Sequence, residues 1–379
     1  MSSDPPDPVA RAATLRPLLA EHAAEADRGS VLSPQVVEAV REAGLFRLEV
    51  PAELGGWGAS MRTQSEVLVE LARACPSTAW LVGLNTSSTR LALRTYGDEV
   101  FRENPDVLLS SVGNSRSTAR AVDGGYVLTG RGGFASGCEI ADRVLFWGVP
   151  LADSTTTRVS FSFPAKEITV DRTWDFAGMR GTGSHTACVD ELFVPDECAS
   201  VATFDPGART FANMPKPQHV LKSIAIALPV FVGATHGALD LVRDLLPAKP
   251  ISDTVYRQAV DSPSARLWFA EAQHLLDTAY QHLWLVADEC DDAPEDDVMA
   301  IEDRVRVRLH MSSAISGCRT ALSKILDLAG ASAFATGNPL QRFWRDFEVG
   351  TRHARFNPFI ALEDAGQLLA GGSPVATMI

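Results

Sequence analysis

Residues 123–142 read DGGYVLTGRGGFASGCEIAD. Asp123-Gly124 stands between two alternating runs, with Ala119 and Ala121 before it and Tyr126 and Leu128 after it. That arrangement predicts a β-hairpin, because a two-residue Asp-Gly turn matches the twist of paired strands. Gly130, Gly132 and Gly133 follow, then Phe134-Ala135-Ser136-Gly137. Glycine weakens a strand, so this density predicts a bulge or a backbone that something flat approaches closely. An ordinary glycine-rich turn reads equally well from these residues alone. Under the first reading, the Ser136 hydroxyl stands ready to meet a polar atom of a ring.

On both sides of this stretch the pattern is β. Short β-type runs at 107–112, 119–122, 126–129, 144–149, 159–163, 168–170 and 186–194 are separated by Gly, Pro, Asp and Asn. Their spacing predicts an antiparallel sheet or barrel. Residues 199–217 read as loop. Further out the pattern is helical. Ser33-Pro34 gives an N-cap followed by Pro at the first helical position, and Val36, Val37 and Val40 recur behind it. Beyond His219, the residues Trp268, Ala272, Leu275, Ala279, Leu283 and Val286 form a core-facing stripe, and Val305, Leu309, Leu322 and Leu326 continue it on a second long helix. The acidic run DECDDAPEDD between them lacks the order and central glycine of a calcium loop and reads as solvated. The expected class is therefore α+β: an N-terminal helical domain over 1–106, a central antiparallel β-domain over 107–200 and a C-terminal helical bundle over 201–379. The two long helices also carry more apolar surface than one small bundle buries, which predicts a homotetramer.

The chain has 379 residues, 46% of them hydrophobic, with a formal net charge of −13. No basic stripe is visible, so nucleic acid and anionic membrane surfaces are not expected partners. The six cysteines form no CxxC and no zinc-site spacing with histidine, which fits reduced thiols in the cytoplasm and no metal. The start MSSDPPDPVAR has no apolar core, so a secretory signal is not expected. No apolar run reads as membrane-spanning, because the longest, around Ile224 to Val232, is interrupted by Pro229.

Signatures of phosphate-loop, serine-hydrolase and zinc-protease chemistry are absent. The run Gly178-Met179-Arg180-Gly181-Thr182-Gly183-Ser184-His185 opens a strand and not a helix, so it offers no helix N-terminus to a pyrophosphate. It reads instead as a turn whose amides and hydroxyls face a ligand. His353 lies among Arg342, Arg345, Arg352 and Arg355, and neighbouring cations favour a neutral imidazole able to accept a proton. A surface histidine on a basic helix accounts for the same residues.

The pieces LFRLEVPAELGGWGAS, CPSTAW, DGGYVLTGRGGFASG, TWDFAGMRGTGSH followed by LFVPDE, and FWRDFEVGTRHA occur in that order over nearly the whole chain. Together they resemble the acyl-CoA dehydrogenases, and more specifically their oxygenase branch, the two-component flavin-dependent monooxygenases. The resemblance implies a C-terminal four-helix bundle. It also implies reduced FMN or FAD from a separate flavin reductase, O2 as co-substrate, and oxygenation of a small aromatic or natural-product-like molecule through a flavin C4a-hydroperoxide. Carried across, Ser136 would lie by the flavin N5 as a hydrogen-bond donor, with Thr182 and Ser184 helping to hold the ring and Arg266 reaching a phosphate. Trp80, Asn85 and Ser111 would line the substrate pocket, and His353 would be the base that activates the substrate. Two departures stand out. Thr351-Arg352-His353-Ala354 occupies the place where dehydrogenases carry a catalytic glutamate, and Gly132-Gly133 replaces a frequent tryptophan. An acyl-CoA dehydrogenase or oxidase, and a non-redox enzyme or binding scaffold reusing the fold, remain as alternatives at this stage.

Overall fold

The computed structural model describes residues 7–113, 115–205, 210–211, 217–294 and 297–376. Five helices come first: α1 (Pro8–Gly29), α2 (Pro34–Glu42), α3 (Met61–Ala72), α4 (Pro76–Tyr96) and α5 (Glu99–Glu103). Asp7 and Ser33 cap α1 and α2 through their side chains, each followed by Pro at the first helical position. Nine strands follow: β1 (Leu109–Val112), β2 (Arg116–Val122), β3 (Gly125–Ala135), β4 (Arg143–Pro150), β5 (Thr157–Pro164), β6 (Thr169–Asp171), β7 (His185–Pro195), β8 (Ala199–Asp205) and β9 (Thr210–Phe211). Then come α6 (Pro217–Ala225), α7 (Leu228–Leu245), α8 (Pro263–Asp291), α9 (Ile301–Ala329), α10 (Pro339–Gly350) and α11 (Pro358–Leu369).

The strands form two sheets, β1-β4-β5-β8-β9 and β2-β3-β7-β6. Val112, Phe146, Phe161, Leu128, Ala187 and Val189 fill one buried core between them. Pairing is antiparallel except between β1 and β4, which run parallel. The β2–β3 hairpin turns at Asp123-Gly124, with Val122 opposite Gly125. The loop expected over 199–217 is corrected in part. Residues 199–205 are strand β8, whose alternating β-branched side chains pair with β5, while 206–209 and 212–216 lie outside the described residues.

The helices before and after the sheets share a second core. Leu68 and Leu71 of α3, Phe231 and Leu239 of α7, Leu283 of α8 and Leu322 of α9 belong to one cluster. Most of the stripe on α8 is spent inside the chain, since Ala272, Ala279, Leu283 and Val286 are buried, while Trp268 at its start stays exposed. The acidic run is also less solvated than its composition implies. Asp291 accepts the backbone N–H groups of Met61 at 2.7 Å and Arg62 at 3.1 Å, and so caps α3, where a carboxylate favours the helix N-terminus. By length and composition, Pro217–Leu245 does reach membrane-spanning dimensions, but 72% of its apolar window is buried within the chain.

Candidate active site

Strand β3 carries the bulge that its glycines predict. Its register against β7 shifts between Gly132 and Ala135. A side chain at Gly132 would run into Val112 of β1, so only glycine lets the strand pass there. Past the shift, Phe134 adopts φ +59°, an uncommon left-handed conformation for an aromatic residue and one that clusters at functional sites. The strain turns its ring outward, 69% exposed, edge-on to Trp174 at 5.7 Å and Phe176 at 6.0 Å. Trp174 and Phe176 stack at 3.9 Å. A flat apolar wall therefore stands beside Ser136.

Ser136, Thr182 and Ser184 come together. Ser136 Oγ lies 2.7 Å from Ser184 Oγ, and Ser184 Oγ lies 2.7 Å from Thr182 Oγ1. Thr182 Oγ1 in turn donates to the Met179 carbonyl at 2.7 Å. The backbone fixes the two strand ends together, with Gly137 N–H donating to Thr182 C=O at 2.8 Å. The 178–184 turn docks on α10. Asp346, buried in that helix, accepts the Met179 N–H at 2.5 Å. Burial pushes the Asp346 carboxyl up to about 7, against the opposing pull of that hydrogen bond. Gly178 is required because the Arg345 carbonyl occupies the space a side chain would need. Asp346 is a supporting residue of the turn, which the sequence marked only within the piece FWRDFEVGTRHA.

His353 sits across this junction. It is not on the basic helix: α10 ends at Gly350, and His353 opens the short turn Ala354–Phe356. Its Nδ1 accepts the Arg355 N–H at 3.3 Å. Its pKa is lowered, first by desolvation in a crowded recess and then by Arg355, although the ring's own surface is open. Two of the other cations are engaged elsewhere, Arg345 with Asp27 at 2.9 Å and Arg352 with Glu348. Trp80 faces His353 at 6.2 Å and rests on Phe231 at 6.0 Å, and Phe356 flanks His353 at 5.9 Å. Met179 joins the two sides, its Cγ lying 3.6 Å from where a Gly350 side chain would begin.

The remaining expected residues fall elsewhere. Ser111 on β1 bonds Ser88 of α4 at 2.7 Å and takes the Trp147 indole N–H at 3.4 Å, a polar group that the sequence did not flag. Asn85 is tied into the scaffold. It is 0% exposed, donates to Phe46 C=O at 2.7 Å and accepts Leu109 N–H at 2.7 Å, which ties α4 to β1. Arg266 donates to the carbonyls of Val260 and Asp261 at 2.9 and 3.0 Å, so within this chain it closes the turn before its own helix.

Residues 10–104 match the family model described as acyl-CoA dehydrogenase, N-terminal domain, and residues 224–358 match acyl-CoA dehydrogenase, C-terminal domain. The chain is 30% identical over 356 residues to the flavin-dependent monooxygenase oxygenase subunit HsaA of Rhodococcus jostii, spanning 91% of this chain and 93% of that one. It is 29% identical to the FADH(2)-dependent resorcinol hydroxylase oxygenase component of a Rhizobium species, spanning 97% of this chain and 94% of the relative. Among solved structures it is similar to XiaF from a Streptomyces species in complex with FADH2 and glycerol, with TM-score 0.88, 31% identity, and 98% and 97% of the two chains covered.

Proposed function

The chain belongs to the flavin-dependent monooxygenases built on the acyl-CoA dehydrogenase fold, and from that premise we propose that it oxygenates a small aromatic substrate lying against the Trp80–His353 pair. It is the oxygenase component of a two-component system: reduced flavin comes from a separate reductase, and O2 is the co-substrate. The observation that carries the site assignment is the hydroxyl group Ser136–Ser184–Thr182 beside the exposed Phe134 wall. A flat ring with polar atoms along one edge fits there, apolar face on Phe134 and edge on Ser136. When bound, reduced flavin supplies the electrons that activate O2, with one oxygen atom passing to the substrate and the other leaving as water.

The chain's own residues hold, shield and move protons. Ser136 holds the ring edge, with Thr182 and Ser184 behind it. Phe134, Trp174 and Phe176 exclude water from the ring face. His353 takes a proton from a substrate hydroxyl or amine. Its Nδ1 accepts the Arg355 N–H, which puts the neutral ring's proton on Nε2; for Nε2 to act as base the ring takes the other tautomer and turns Nδ1–H away from that amide. The shift gives up one long hydrogen bond, about 0.5–1.5 kcal/mol. Ser111 with Ser88 and Trp147 offers a polar contact to the substrate's far end. No carboxylate stands in the 351–354 turn, and Glu348 is committed to Arg319 and Arg352, which disfavours proton abstraction next to an acyl thioester.

The same reading places the protein in the cytoplasm, supported by six free cysteines, and in a homotetramer. Leu267, Trp268 and Leu285 on α8, and Phe359, Leu362 and Leu369 on α11, remain exposed and support that assembly. Light scattering that finds a stable monomer would remove the tetramer. The function is tested by supplying photoreduced FMN or FAD, 18O-labelled O2 and a panel of phenols and indoles. One 18O atom per product is expected, and no labelled product from any aromatic would overturn the substrate class.

A further inference from the structure

Three hydroxyls and one carbonyl form an unbranched line. Ser136 to Ser184, Ser184 to Thr182 and Thr182 to the Met179 carbonyl are each 2.7 Å apart. Two oxygens this close repel unless a proton lies between them, so each of the three links holds one proton. The line owns three protons, one on each hydroxyl, and the carbonyl has none to give. The order is then forced. Thr182 donates to Met179, Ser184 donates to Thr182, and Ser136 donates to Ser184. No proton is left on Ser136 to point outward, so its free face offers lone pairs only. The expectation that Ser136 donates to the flavin is thereby reversed.

The end of the line is well anchored. The Met179 carbonyl also accepts the Trp174 indole N–H at 2.9 Å, and the Met179 N–H is held by Asp346 at 2.5 Å. Both contacts keep that carbonyl aimed at Thr182. Reversing the line would leave it facing a lone pair on Thr182, a cost that the anchored geometry does not let the turn relax away.

We propose that Ser184 and Thr182 are positioning residues that make Ser136 an obligate acceptor, and that this one-way line lets the site distinguish reduced from oxidised flavin. The inference rests on reading Ser136 as the contact of the flavin N5 edge. Reduced isoalloxazine carries a hydrogen on N5 and donates. Oxidised isoalloxazine has only a lone pair there and meets the Ser136 lone pair head on. One such mismatch at a desolvated contact corresponds to roughly 5- to 150-fold in the ratio of dissociation constants.

The test is a set of anaerobic titrations of wild type, Ser184→Ala and Thr182→Val with oxidised and photoreduced flavin, using FMN and FAD, read by fluorescence. Wild type should prefer reduced flavin by tenfold or more. Ser184→Ala frees the Ser136 hydroxyl to rotate and donate, so the preference should fall about tenfold, mainly through tighter binding of oxidised flavin. Thr182→Val leaves one link and two protons, so its preference should fall by less. Reduced 5-deazaflavin, which lacks the N5 hydrogen, should bind wild type several-fold more weakly than reduced flavin, and that gap should narrow in Ser184→Ala. An unchanged preference in both variants at wild-type melting temperature overturns the inference, and so does equal wild-type affinity for the deaza compound. If Ser184→Ala does not fold, Thr182→Val and the deaza compound decide. A wild type that binds reduced flavin with no preference removes the inference alone, whereas one that binds no flavin removes the site reading as well.

Discussion

The two sides of the active site are built differently. On the Ser136 side, three hydrogen bonds of 2.7 Å run in line, and the last ends on a turn clamped to α10. On the His353 side, the imidazole has one 3.3 Å bond to a backbone amide and is otherwise surrounded by rings 5.9 and 6.2 Å away. Short charge-free bonds in series fix direction as well as position. Edge-on aromatic contacts fix a volume and leave rotation open. In the proposed reading the cofactor, the same in every turnover, meets the rigid side, and the substrate meets the adjustable one.

The sharpest way to break this contrast is His353→Ala. General acid–base assistance is worth ~10²–10⁴-fold, so product formation should fall at least a hundredfold. Binding of reduced flavin should stay at wild-type affinity, and the consumed O2 should appear as hydrogen peroxide. In wild type, transfer needs the neutral ring. With the folded pKa below the usual 6.5, activity should be full at neutral pH and be lost only as pH falls through that lowered value. A variant that loses flavin affinity together with product would put His353 on the cofactor side.

Asp346 carries the next effect. Asp346→Ala leaves a buried Met179 N–H without a partner, which costs about 1–3 kcal/mol of stability and loosens the carbonyl that ends the hydroxyl line. Asp346→Asn keeps an acceptor and tests the charge. The folded carboxyl titrates near 7, above its unfolded value of about 3.9, so the folded state binds the extra proton between those limits. Its contribution to stability is therefore greatest at low pH and is lost as pH rises through the folded value. The melting temperature of Asp346→Asn relative to wild type should rise from pH 5 to pH 8. A difference that is flat with pH would mean that the carboxylate is already neutralised by a partner.

Ser136→Ala should act more mildly. Losing one neutral hydrogen bond is worth about 0.5–1.5 kcal/mol, so reduced flavin should bind roughly two- to tenfold more weakly and more O2 should be lost as peroxide. Oxidised flavin should bind no worse, because its N5 gains nothing from Ser136. Equal weakening of both forms would mean that the hydroxyl only holds the turn.

How much of this was legible in the sequence depended on range. Asp123-Gly124 and the glycines behind it specify a hairpin and a bulge by local backbone freedom, and both are present. The end of α10 was not legible, because Gly350 is needed where the Phe231 ring, over a hundred residues earlier in the chain, fills the space of a side chain. Asn85 has the chemistry of a substrate contact, yet carbonyl and amide groups of Phe46 and Leu109 claim it first. The direction of the hydroxyl line depends on Met179 C=O, Thr182, Ser184 and Ser136 meeting at once, and composition carries no trace of that. Arg345 and Arg352 show the same limit, being close to His353 in sequence but paired with carboxylates in space.

Trp80→Phe should give the smallest change and sharpen the contrast most. Trp80 touches Phe231 and His353 through tilted and edge-on ring contacts, which contribute about 0.5–1.5 kcal/mol beyond burial. Phenylalanine keeps an aromatic edge but reaches less far, so part of one contact is lost and the neighbouring rings can shift to compensate. KM for the substrate should then rise roughly two- to fivefold with kcat within about twofold, since the lost contact is made equally before and during oxygen transfer. The reduced-to-oxidised flavin preference should stay at the wild-type value, because Trp80 has no part in the Ser136 line. A fall in that preference would mean that the two sides are mechanically coupled, with Leu81, which packs against the Gly137 backbone next to Ser136, as the link. A large loss of kcat at unchanged KM would mean that the aromatic side is as tightly registered as the hydroxyl side, and the division of labour between them would fail.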